Sequence, residues 1–164
     1  MRKRLPLVFA IVAFLAALHP IASAQPSGNA SLQSQSAPTL VGAWSIDVTP
    51  TLVPAFVSLG TFSADGTLTN ISSPSLGFPP ESPGYGEWVR VGPRSFAITF
   101  HTLVGDGAGN LGGKGKVRAT LTLGPKGDTL TGVFQVDVFD ATGGLIVSDT
   151  GSVKGSRLRV EALP

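Results

Sequence analysis

The chain has 164 residues, with 12 Lys+Arg, 10 Asp+Glu, 42% hydrophobic residues and no cysteine, which excludes disulfides, thiolate metal sites and a cysteine nucleophile together. Its formal charge of +2 comes from Arg2, Lys3 and Arg4; residues 25–164 carry nine basic against ten acidic side chains, a net −1, so no nucleic-acid-binding surface is implied.

In chain order, the basic start is followed by an apolar run from Leu5 to Leu18 and by Ala22-Ser23-Ala24. A charged start, a short apolar centre and a small-x-small end describe a secretory signal peptide (1–24) cut after Ala24. The run falls short of the roughly 20 residues that span a bilayer, so no stable membrane span is expected after cleavage. The expected location is secreted or periplasmic. Residues 25–39, QPSGNASLQSQSAPT, bear no charge and one large apolar side chain. They cannot bury enough surface to offset their ordering entropy and read as a flexible tether. Residues 40–164 are then one domain.

From Leu40 onward the pattern is alternation, with Gly and Pro recurring too often for helices. In KVRATLTL, Val117, Ala119, Leu121 and Leu123 share one face and Lys116, Arg118, Thr120 and Thr122 the other. Phe96, Ile98 and Phe100 line up in the same way, as do Leu130, Phe134, Val136 and Val138. Turn residues separate the runs: Asp65-Gly66, Gly107 to Gly113, Pro125 to Asp128, and Thr142 to Gly144. Strands are predicted over about 41–48, 55–63, 66–71, 85–91, 94–104, 115–123, 129–139 and 145–161, with a proline-rich loop from Pro74 to Pro83. Sequential antiparallel hairpins of about eight strands close economically into an all-β up-and-down barrel, with a two-sheet sandwich as the competitor.

The first predicted strand contains Gly42-x-Trp44, glycine and ring on one face, and the last contains Arg157 in TGSVKGSR. If the barrel closes, these strands are neighbours, and the Arg157 guanidinium can stack on the Trp44 indole; Arg159, two residues on and on the same strand face, is the alternative. Together with the flanking VGAWSIDV, SLGTFSADGTL and YGEWVRVGPRSFAITF, these residues resemble lipocalins and other calycin barrels, and small secreted bacterial lipocalin-like proteins in particular. The resemblance implies a barrel closed by Gly42, Trp44 and Arg157. A second lipocalin motif of Thr-Asp-Tyr type, a disulfide and a C-terminal helix have no counterpart here.

The interior of such a barrel would be lined by Phe96, Ile98, Phe100, Phe134, Val136 and Val138, a candidate site for a small hydrophobic ligand; a structural or interaction domain is the other non-enzymatic reading. Gly107 to Gly112 matches G-x-G-x-x-G, but the residues after it, Lys116 to Leu123, are strand-like, so it reads as a hairpin loop and no nucleotide cofactor is expected. His101 is the single histidine beyond residue 24, too few for a histidine metal site, and no metal is expected. The enzymatic alternative is a barrel-type isomerase or cyclase in which His101 faces inward as general base beside Asp137, Asp149 or Glu87. Asp65, Asp106 and Asp128 fall in turns, where a carboxylate bonds its own backbone.

Overall fold

The structure, a computed structural model, describes residues 38–76 and 80–163. Eight antiparallel strands follow one another around a closed barrel: β1 (Gly42–Pro50), β2 (Phe56–Phe62), β3 (Thr67–Ser72), β4 (Gly84–Arg90), β5 (Ser95–Gly105), β6 (Leu111–Leu123), β7 (Thr129–Asp140) and β8 (Leu145–Arg157). Each strand pairs with its sequence neighbours, and β1 pairs with β8 from Trp44↔Arg157 to Pro50↔Gly151. The sandwich is thereby excluded. A short 3-10 helix (Ser73–Leu76) sits in the proline-rich loop, and no helix among the described residues is long and apolar enough to cross a membrane. The segments read as signal peptide and, up to residue 37, as tether lie outside the described residues.

Alternation decides which face each strand buries. Along β1, Trp44, Ile46 and Val48 are buried and Asp47 is exposed; along β6, Leu121 and Leu123 are buried and Thr122 is exposed. The base of the barrel, where β1 begins and β8 ends, is filled by Leu40, Trp44, Phe96, Leu121, Leu123 and Leu130, all essentially inaccessible to solvent. Burying a side chain of this kind stabilises by about 1.5–3 kcal/mol.

Two strand ends depart from the sequence reading. β6 starts at Leu111, so Gly112 and Gly113 belong to the strand and not to the loop. Gly113 is paired with Asp140, and a methyl group there would lie 2.3 Å from the Phe139 carbonyl oxygen. The glycines mark a close backbone approach next to an irregularity at Val104/Gly105. β8 ends at Arg157, short of 161, with one further backbone bond to β1, from Leu158 N–H to Ala43 O (2.9 Å).

The base is tied off by two arginines. The Arg157 guanidinium carbon lies 4.3 Å from the Trp44 ring centroid, with Nε donating to Gly127 O (2.9 Å), Nη2 to Thr39 O (2.6 Å) and Nη1 to Val41 O. Burial, and then the charge of Arg159, lowers the Arg157 pKa, yet a guanidinium starts so high that it keeps its charge. Arg90 does the same across the base: it stacks on Phe96 at 4.6 Å and donates to Pro38 O and Pro93 O, each at 2.6 Å. Pro38 and Thr39, expected as the end of the tether, are thus fastened to the barrel.

Candidate functional site: the barrel cavity

Above this sealed base the barrel is not filled by its own side chains. A cavity of about 280 Å³ lies between the core and the end where β1 stops and β2 begins. Its volume is close to the lower end of the range for small-molecule pockets, about 300–1,000 Å³. Phe62, Leu68, Leu121, Phe134 and Val153 form the deep wall, and Ile98, Phe100, Val117, Val136 and Val138 rise above them. Strand periodicity makes the wall apolar, since inward positions take every second residue.

Of the residues that the sequence assigns to the interior, Ile98, Phe100, Phe134, Val136 and Val138 line the cavity. Phe96 does not: it is fully buried one level lower, in edge-to-face contact with Trp88 (centroids 5.6 Å apart) and under Arg90. A period of two gives the face of a residue and not its height along the barrel, and Phe96 belongs to the plug. Trp88 repeats the Gly-x-Trp spacing on β4 and anchors its indole N–H on Ser63 O at 3.0 Å.

His101 is on the outer wall, exposed, in register between Tyr85 and Lys116. Glu87 is likewise outside and exposed. Asp137 is 8% exposed but also faces outward, held by Ser148 Oγ (2.7 Å), Gln135 Nε2 (2.9 Å) and the Arg118 guanidinium. Those two hydroxyl and amide hydrogen bonds, then the Arg118 charge, hold the Asp137 pKa below the ordinary carboxylate value. Asp149 does line the cavity but accepts backbone N–H groups of Thr51 (3.3 Å), Leu52 (3.1 Å) and Thr150 (2.7 Å). The inward His101–acid couple of the enzymatic alternative is therefore not assembled.

Turn aspartates behave as the sequence suggests for Asp65 and Asp106, which accept from the backbone of Thr67 and of Ala108 and Asn110; the Thr67 backbone and then its hydroxyl lower the Asp65 pKa, and the Asn110 side chain, then the Asn110 and Ala108 backbone, lower that of Asp106. Asp128 contributes its backbone carbonyl, to Arg157 N at 2.9 Å. Asp140, not singled out from sequence, closes the β7–β8 turn through Thr142 and Gly144.

Polar cavity residues are what sequence reasoning missed. Ser58, Asn70 and Thr102 point inward on β2, β3 and β5, with Glu81 at the mouth. Thr102 continues the alternation of Phe96, Ile98 and Phe100, so its placement was available in the pattern. Glu81 comes from the proline-rich loop, where no periodicity exists to read. Among the described residues no three His, Cys, Asp or Glu side chains gather as a metal site. Comparison with protein-family models and with curated proteins finds no match to this chain.

Proposed function

We propose that this protein is an exported, lipocalin-like binding barrel that holds a small, largely apolar molecule in its interior. The reading rests on one observation: a cavity of about 280 Å³, apolar on its deep walls, inside a barrel whose opposite end is plugged. A structural barrel gains stability by filling such space, because each missing contact forfeits dispersion energy. Export rests on the basic, apolar and small-residue segments of residues 1–24.

The test is titration of the barrel with N-phenyl-1-naphthylamine, a neutral fluorophore that brightens in apolar surroundings. A saturable rise is expected, weakened about tenfold or more by Val117→Phe, which places a ring where Val117 and Val136 face each other across β6 and β7. No saturable rise, or an unchanged affinity in a folded Val117→Phe protein, defeats the reading.

A further inference from the structure

The upper part of the cavity carries polar groups in an asymmetric arrangement. Thr102 is only 7% exposed, lines the cavity and has no hydrogen-bond partner among the described residues. It is paired with Gly115, and a methyl group at Gly115 would come within 2.5 Å of Thr102 Oγ1 and 3.9 Å of Glu81 Oε1. The missing side chain at 115 thus makes room for the Thr102 hydroxyl itself, with the Glu81 carboxylate close by. Two strands along the same wall, across Gly84 of β4, Asn70 spends its Nδ2 on Ser58 Oγ (2.5 Å) and Leu59 O (3.4 Å), which leaves Oδ1 without a partner among the described residues.

These groups are mainly acceptors. Asn70 offers an oxygen, Glu81 and Asp149 are carboxylates, and Thr102 can donate or accept. No Lys, Arg or His is among the described residues that line the cavity. A carboxylate head entering here would lose its hydration and meet like charge with no cation to offset either cost. A hydroxyl or ammonium head would donate to Asn70 Oδ1 and to the Thr102 hydroxyl oxygen, in a field set by the two carboxylates.

Building on the binding-barrel reading, we infer that the ligand is an amphiphile with a hydrogen-bond-donating head, an alcohol or amine and not a fatty acid, its head held between Asn70, Thr102 and Glu81 and its apolar part on the wall below. A ligand that covers the Thr102 hydroxyl without pairing it gives up enough to change affinity about tenfold. Specificity for the head therefore resides at Thr102.

Displacement of N-phenyl-1-naphthylamine by decan-1-ol, decylamine and decanoate tests this. The alcohol and the amine are expected to displace it at concentrations about tenfold or more below decanoate. Thr102→Val, near-isosteric, should narrow the alcohol-to-carboxylate ratio toward unity, and Thr102→Ser should restore it. A merely structural role for Thr102 would weaken all three ligands in parallel and leave the ratio alone, which would overturn the inference, as would decanoate binding as well as the alcohol in the native protein. Failure of the fluorophore itself to bind overturns the cavity reading as well, whereas binding without head-group preference overturns the head-group inference alone.

Discussion

At the scale of single residues, Gly42 shows how a fold can hang on an absent side chain. Its φ is +129°, a conformation L side chains rarely adopt, and a methyl group there would lie 2.6 Å from Arg157 Nη1. The space is needed because the guanidinium must lie flat on Trp44 while its nitrogens reach three carbonyl oxygens, those of Thr39, Val41 and Gly127. The Trp44 indole N–H meanwhile donates to Leu40 O at 2.9 Å, so ring, arginine and chain entry are fixed together. Gly42→Ala adds both backbone strain and a displaced stack, and is expected to cost about 2–4 kcal/mol. Urea denaturation of the purified variant measures it; a loss under about 0.5 kcal/mol, the range of neutral surface changes, would show that the stack does not depend on this glycine. The pairing of Gly42-x-Trp44 with Arg157 was legible in the sequence because its members are few, large and placed at the ends. The second clamp was not: Arg90 on Phe96 comes one alternation step after Gly86-x-Trp88, but nothing in the sequence shows that β4 ends beside Pro38.

At the scale of strands, the long β6–β7–β8 ladder carries the outer-wall network of Arg118, Gln135, Asp137 and Ser148, one member or more from each strand. Because its partners prefer the ionised form, Asp137 has a lower pKa folded than unfolded. Its contribution is therefore present above the unfolded carboxylate pKa, about 4, and lost as pH falls through the lower folded value. Asp65, Asp106 and Asp140 act in the same direction from their turns. Urea midpoints measured from pH 7 down to about pH 2 should be level at first and decline below about pH 4. Asp137→Asn should lower the midpoint at neutral pH and flatten the decline; an equally steep decline in the variant would remove Asp137 from the acid-sensitive set. Strands themselves were readable wherever apolar and polar residues alternate, as in β5, β6 and β7. Their ends were not readable where glycine replaces the alternation, as at Gly112 and Gly113, since a missing side chain marks a loop and a crowded ladder equally. The cavity wall was legible by face, through Ile98, Phe100, Phe134, Val136 and Val138. Its depth was not, and so Phe96 proves to belong to the plug, while His101 is outside by face, opposite Ile98 and Phe100.

At the scale of the whole molecule, seven of the eight strand pairings join neighbours in sequence and one does not. The closing pair β1–β8 brings Val41 O to Arg157 Nη1 across 116 positions of chain. Local hairpins can form before that long loop is closed, and β5 to β8 supply the longest ladders with which to begin. Closure then belongs after the rate-limiting step, and interactions made only at closure should act on unfolding and hardly on folding. Arg157→Ala removes the stack on Trp44 and three backbone hydrogen bonds, a loss of about 1–3 kcal/mol. Stopped-flow measurements across a urea series should show the unfolding arm raised by about 5- to 150-fold and the folding arm nearly unmoved. If Arg157→Ala instead slows folding in proportion to the stability lost, the first and last strands have already met in the transition state, and the barrel forms by closing early around its base.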